Sequence, residues 1–434
     1  MGMIIFLTVA IIEVSLAAFC IYTKTNQVKG RSIIRIATFS GLMILVILLV
    51  IDWGFRYYAL ATLLLMLSII GAINLIFEKE EKREYKTINI VFKAIGMMVL
   101  FFALTLPAII FPQNKPVIDV TGDYQVSTKT YTYIDKNRVE IYGNNEKNRK
   151  LNVQMWYPVS GDGKYPLIVF SHGGLGVKAS NESLYNELAS DGYVVCSIDH
   201  TYHSFFTTDN DGVTTWIDLG YIQELFDENP RSDMQQSFEY YKKWMHIRTE
   251  DIGFVIDYII SEAEDKNENS LYSLVDTSKI GVMGHSLGGS AALGIGRIRD
   301  DISAVIALES PFMYDIEGVE DGQFIFTEET YPVPVLNVYS DSAWNILSDR
   351  PQYAANHVML NDTDATAFNV YINGVGHLGL TDFALTSPFL TRVLDGQKST
   401  KEAEDSLKII NKVCLEFFNC YLKISGEFTS SGLY

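Results

Sequence analysis

In this 434-residue chain the residue types best arranged for chemistry centre on Ser286, within Gly284-His-Ser-Leu-Gly288. A G-x-S-x-G run holds its serine on a sharp strand-to-helix turn, where the hydroxyl stands exposed and can attack a carbonyl carbon. A serine hydroxyl is a weak nucleophile until an imidazole takes its proton, and the imidazole needs a carboxylate to fix its tautomer and stabilise its cation. With the serine on such an elbow, the acid and then the histidine are expected further along the chain. Of seven histidines only His357 and His377 follow Ser286. His377 lies in the glycine-rich Asn373-Gly-Val-Gly-His-Leu-Gly379, directly after a strand pattern, whereas His357 lies in a stretch that reads as helical or irregular. His377 is therefore the expected base. Two carboxylates, Glu309 and Asp341, each follow a strand pattern, and position alone leans to Asp341. The developing oxyanion is expected to be met by the backbone N–H of Leu287 and by that of Gly174 in Ser171-His-Gly-Gly174.

These residues need a scaffold. Ile280, Val282 and Met283 suit a buried strand before the serine, and Ala291, Ala292 and Leu293 a helix after it. Alternation over 124–134 and 150–157 predicts antiparallel strands, and the apolar runs 166–170, 192–197, 304–308, 334–339 and 367–372 predict buried ones. Helices are expected over 181–191, 244–261 and 402–422. The alternation of strand and helix implies a doubly wound α/β domain with a mostly parallel sheet over 123–434. The insertion 201–243 carries Phe205, Phe206, Trp216, Tyr221 and Tyr241 among polar residues and reads either as a lid against substrate or as a segment that packs its own aromatics.

The chain up to residue 111 is a different material. Four apolar runs, at about 3–22, 36–51, 57–77 and 90–111, each approach the length that a helix needs to span hydrocarbon. An all-α bundle of four transmembrane helices is expected, joined to the rest by a linker over 112–122. Lys24, Lys29, Arg31 and Arg35 in the first loop, and Lys79, Lys82, Arg83 and Lys86 in the third, place those loops in the cytoplasm by the positive-inside rule. The α/β domain would then lie on the extracytoplasmic side of a cell membrane. Glu13 and Lys93 fall at membrane depth, with Glu13 expected to pair within the bundle or stay protonated and Lys93 to reach the cytoplasmic interface.

Composition narrows the partners. Residues 112–434 carry 24 basic and 46 acidic side chains, which argues against nucleic-acid binding, since that draws its affinity from cations on phosphates. Four cysteines without a CxxC pair imply neither a disulfide framework nor a thiol metal site. Asp199, His200 and His203 could be taken as metal ligands or as a structural strand end.

Several stretches together resemble the plasma-type platelet-activating factor acetylhydrolases, secreted serine esterases of phospholipase A2-like activity. Phe170-Ser-His-Gly-Gly174, Leu188-Ala-Ser-Asp-Gly-Tyr193, Asp199-His200, Gly284-His-Ser-Leu-Gly-Gly289, Ala307-Leu-Glu309 and Val375-Gly-His377 with Asp382-Phe383 follow that family's order over about 150–395. The resemblance implies an α/β-hydrolase fold, no metal or other cofactor, and an acid on the strand just after the nucleophile helix, which selects Glu309 where the family has aspartate. It also implies that Asp199-His200 is structural. The expected function is a membrane-anchored serine esterase acting through an acyl-enzyme. Its partners would be membrane lipid and a lipid ester, such as a short-chain or oxidised phospholipid. A deacetylase of cell-wall or sugar esters, and a non-catalytic binding or sensing membrane protein, are the alternatives.

Overall fold

The apolar N-terminal runs form helices α1 (Gly2–Thr23), α2 (Val28–Ile47), α3 (Phe55–Ile76) and α4 (Thr87–Ile110). This computed structural model describes every residue except 78–84, 115, 144–146, 160–162, 265–270, 361–365 and 397–398. The basic residues Lys79, Lys82 and Arg83 thus lie outside the described residues. All four helices are long and apolar enough to cross a membrane. They bury a narrow seam that includes Val9, Leu42, Leu60, Leu64 and Phe101, while Ile4, Ile11, Ile47 and Phe92 stand exposed. Small residues let backbones approach: a Cβ on Gly71 of α3 would sit 2.9 Å from the Ser32 carbonyl of α2.

Helix α2 starts eight residues before the expected span and stops earlier. The added turns include Arg35, which is ion-paired with the buried Glu13 of α1. Glu13 therefore has its partner within the bundle. The turn after α2 is held by Gln113, whose amide donates to the Val50 carbonyl at 2.9 Å and accepts from Tyr57 at 3.0 Å.

The chain divides into two compact units, Met1–Pro116 with Thr386–Leu390, and Val117–Leu385 with Thr391–Tyr434. In the second, the strands are β1 (Val126–Val139), β2 (Asn148–Pro158), β3 (Tyr165–Ser171), β4 (Val194–Asp199), β5 (Phe206–Thr208), β6 (Thr214–Trp216), β7 (Val275–His285), β8 (Ile302–Leu308), β9 (Ile316–Glu320), β10 (Gln323–Phe326), β11 (Val335–Tyr339), β12 (Ala367–Tyr371) and β13 (Gly432–Leu433). Nine of them make one sheet in the order β1-β2-β4-β3-β7-β8-β11-β12-β13. The β1–β2 and β2–β4 pairs are antiparallel and the rest are parallel. The small hairpins β5–β6 and β9–β10, and the edge strand β13, were not foreseen.

Alternation along β3 builds both faces of the core. Leu167 and Val169 pack on α7 (Met234–Glu264), which follows the short α6 (Leu219–Asp227) of the insertion, and on α8 (Leu287–Ile298), while Ile168 and Phe170 pack toward α5 (Glu182–Ser190) and the C-terminal helix Ala403–Tyr421. Fully buried Phe417 and Phe418 of that last helix each stabilise the fold by about 1.5–3 kcal/mol. Helix α7 begins ten residues before its expected start, because Phe238, Tyr241, Trp244 and Met245 form a helical stripe that is buried. The connections out of β3 (to β4) and out of β7 (to β8) run in opposite directions, so the crevice beyond their carboxyl ends lies at a topological switch point.

Candidate active site

Ser286 follows β7 with φ +53° and ψ −127°, a conformation that non-glycine residues seldom hold unless the surroundings fix it. Two close approaches fix it. A Cβ at Gly284 would run into the Gly288 backbone, and one at Gly288 into the carbonyls of Ser171 and His172, so strand, turn and helix interlock only with glycine there. The Ser286 N–H donates to the Leu308 carbonyl at 2.9 Å, carrying the β7–β8 ladder one residue past the strand. Leu287 opens α8, where the first N–H groups have no partner within the helix.

His377 reaches the same region from the loop after β12. Its Nδ1–H donates to Glu309 Oε1 at 2.7 Å, and the other Glu309 oxygen accepts the Ser340 N–H at 2.7 Å. Glu309 directly follows β8 at φ +50° and is 2% exposed. Burial pushes its carboxyl pKa up, but the His377 and Ser340 contacts outweigh burial and hold it below the usual glutamate value. Asp341 serves another part of the loop. Its carboxylate accepts from the Tyr371 hydroxyl at 2.6 Å and the Gly374 N–H at 3.1 Å, holding the segment that leads to His377. His285, kept neutral first by burial and then by the neighbouring His377, donates from Nε2 to the His377 carbonyl at 3.0 Å. The structure thus places Glu309, and not Asp341, against the imidazole.

Ser286, Leu287, His377, Glu309 and Gly174 line one cavity of about 520 Å³, within the range of small-ligand pockets. Gly174 stands in the turn after β3, and a Cβ on its neighbour Gly173 would lie 3.4 Å from the Ser286 Cβ. The remaining wall is mixed, with Leu225, Trp244 and Met313 beside Glu228, Arg350 and Gln352.

A family model described as platelet-activating factor acetylhydrolase, isoform II, matches residues 127–432. The chain belongs to that family. The platelet-activating factor acetylhydrolase of Gallus gallus is 24% identical over 291 residues, which cover 61% of this chain and 64% of that protein. The Cavia porcellus protein of that description is 23% identical over 280 residues, covering 62% and 61%. The chain spans just under two thirds of the length of these relatives. Among solved structures, a ferulic acid esterase from Streptomyces cinnamoneus matches with a TM-score of 0.57 and 21% identity, covering 72% of this chain and 94% of that one. That likeness is one of fold, the α/β-hydrolase sheet with its helices.

Within this member of the acetylhydrolase family, Asp199, His200 and His203 do not converge. Asp199 holds Lys178 at 2.6 Å and Thr207 at 2.6 Å; His200 bridges Ser171 and Asp251 at 2.8 Å each; His203 bonds Tyr142 at 2.8 Å and stacks on Tyr221. Among the described residues no group of three metal-ligating side chains comes together. The insertion splits the roles expected of it. Tyr221 and Tyr241 are buried, Leu225 lines the cavity, and Phe205, Phe206 and Trp216 form an exposed ring cluster. Sequence reasoning missed Ser340, His285 and Tyr353, whose hydroxyl donates to the Glu309 carbonyl at 3.2 Å. It also missed Arg248, and named Tyr221 only among the aromatics of the insertion; both touch the turn after β3. His285 occupies a variable position of the elbow motif, which prescribes no role for it, and the others sit in no motif, so no local pattern marked them.

Proposed function

We propose that the chain is a membrane-anchored serine esterase that hydrolyses carboxylic esters of lipids, with short-chain or oxidised phospholipids of the platelet-activating factor kind as the favoured class. The 2.7 Å Glu309–His377 hydrogen bond on the wall of the cavity that also holds Ser286 carries this reading. With Nδ1 donating to a carboxylate, the imidazole presents Nε2 as the free lone pair that a general base requires.

In the first half-reaction His377 Nε2 takes the Ser286 proton as Oγ bonds to the ester carbonyl carbon. The oxyanion is met by the Gly174 and Leu287 N–H groups. The carbon–alkoxide bond then breaks, and His377 returns the proton to the leaving alcohol. In the second half water attacks the acyl-serine, His377 accepts its proton and gives it to Oγ, and the carboxylic acid leaves. Glu309 stays ionised and stabilises the imidazolium in both halves. Oxyanion donors of this kind contribute about 3 kcal/mol each in other hydrolases.

The four apolar helices support an anchor, because hydrocarbon is the solvent that their exposed Ile11, Ile47 and Phe92 require. Positive-inside counting then puts the esterase unit outside the cell membrane. The test is an ester panel on the detergent-solubilised full chain, with p-nitrophenyl acetate and butyrate, phospholipids of graded acyl length and acetylated sugars. Ser286→Ala is run beside it. We expect wild-type turnover of lipid esters and a Ser286→Ala rate lower by at least about a thousandfold. Equal rates for the two proteins, or no covalent adduct on Ser286 with a fluorophosphonate, would defeat the assignment.

A further inference from the structure

The turn that carries Gly174 is held by a buried cation. Arg248 lies in the middle of α7 and is 0% exposed. Its guanidinium donates to the His172 carbonyl, to the Gly173 carbonyl at 3.4 Å and to the Tyr221 hydroxyl at 3.3 Å. Tyr221 in turn donates to the Gly174 carbonyl at 3.0 Å, and His172 Nδ1–H to the Gly173 carbonyl at 2.7 Å. Every carbonyl from His172 to Gly174 is therefore occupied.

A trans peptide points its C=O and its N–H in opposite directions. The peptide joining Gly173 to Gly174 has its oxygen tied to Arg248 and His172, so its Gly174 N–H must face the other way. That N–H has no hydrogen-bond partner among the described residues.

The charge of Arg248 is also unusual in its setting. Among the described residues no carboxylate lies within ion-pair distance, and Nε has no partner. A buried charge without a counter-ion is costly. The adjacent rings add no second charge, since burial first and Arg248 next hold His172 and His200 neutral. A negative charge that appears on the far side of the Gly173–Gly174 peptide would meet a peptide dipole already polarised by the guanidinium, and hydrogen bonds in such a chain strengthen one another.

We propose that Arg248, seconded by Tyr221, is a positioning residue that clamps the carbonyls of His172–Gly174, aims the Gly174 N–H at the oxyanion, and stabilises that charge through the intervening peptide. This rests on the acyl-enzyme reading of Ser286. The clamp acts where charge develops, so it raises kcat and leaves substrate affinity nearly alone.

The test compares wild type, Arg248→Met, Arg248→Lys, Tyr221→Phe and Ser286→Ala as full chains in detergent. The readouts are kcat and KM for p-nitrophenyl butyrate and inhibition by an alkyl trifluoromethyl ketone, which forms a tetrahedral oxyanion on the serine. Arg248→Met should lower kcat by about 100-fold, change KM by less than about threefold, and weaken the ketone by the same factor as kcat. Arg248→Lys should recover a measurable part of both. Tyr221→Phe, which removes one hydroxyl and keeps the ring stacked on His203, should cost roughly tenfold in kcat and decides the matter if Arg248→Met does not fold. Ketone binding within twofold of wild type in folded Arg248→Met and Tyr221→Phe, or losses confined to KM, would overturn the clamp. A Ser286→Ala protein at the wild-type rate would overturn the site reading and the clamp together. A dead Ser286→Ala beside unaffected Arg248 and Tyr221 variants would overturn the clamp alone.

Discussion

Glu309 has the reach that its place demands. A glutamate carries its carboxylate one methylene further from the backbone than aspartate, and here both oxygens are used, one on His377 and one on the Ser340 N–H. Glu309→Gln keeps the shape but can present an amide N–H to the imidazole and favour the wrong tautomer. We expect kcat to fall by about a thousandfold or more at pH 7. Glu309→Asp should retract the carboxylate from Nδ1 and cost roughly tenfold. Asp341→Asn, which touches Tyr371 at the end of β12 and the loop that leads to His377, should cost less than about tenfold. Steady-state rates on one p-nitrophenyl ester check all three, and a larger loss at Asp341 than at Glu309 would reverse the assignment.

At the scale of elements, the end of β3 is pinned to its neighbours on both sides. On one side, α8 approaches so closely that a Cβ at Gly288 would enter the Ser171 and His172 carbonyls. Gly288→Ala should therefore misplace the elbow, lowering the thermal midpoint and abolishing fluorophosphonate labelling together. A labelled variant of wild-type stability would contradict this. On the other side, His200 links Ser171 to Asp251, which Arg149 also holds at 2.6 Å. Burial depresses the His200 pKa to about 4, and His172, His203 and His285 are likewise held low. In the unfolded chain each histidine takes its proton near pH 6.5. Their stabilisation is thus complete above about pH 6.5 and is lost as pH falls through that value toward 4, by an amount of the order of 3 kcal/mol for His200. Thermal unfolding of the full chain at pH 7.5, 6.0 and 5.0 should show the midpoint falling stepwise, and His200→Gln should flatten the slope. A midpoint that rises or holds level on acidification would contradict it.

At the scale of the molecule, two units of different composition share one chain. The N-terminal helices leave apolar side chains on their outer faces and pair Glu13 with Arg35 inside. Breaking that pair leaves a buried charge without its partner. Arg35→Leu should lower the yield of detergent-stable chain, and Glu13→Gln with Arg35→Leu should restore part of it. Size-exclusion recovery after mild heating measures this, and equal recovery of all variants would remove the pair from any structural role. The sidedness is tested by fusing a phosphatase, active only outside the cytoplasm, after Tyr434. High phosphatase activity is expected, and a silent fusion that is nevertheless expressed would invert the topology.

The sequence by itself determined whatever depends on neighbours along the chain. The elbow around Ser286 was legible because glycine, serine and glycine at that spacing answer a local steric problem. His377 was legible because a glycine-rich loop after a strand leaves few candidates, and the strands were legible because apolar runs 166–170 and 304–308 have no other home than a buried sheet. Tertiary structure decided what depends on contacts between distant segments. Glu309 and Asp341 both stand at strand ends, and the choice between them follows from the loop after β12, which gives its imidazole to one and its Gly374 N–H to the other. Helix α2 starts early and pairs its Arg35 with Glu13 on another helix. Arg248 reaches a turn 76 residues away, and no periodicity or motif records such a meeting, because only packing of α7 under β3 creates it.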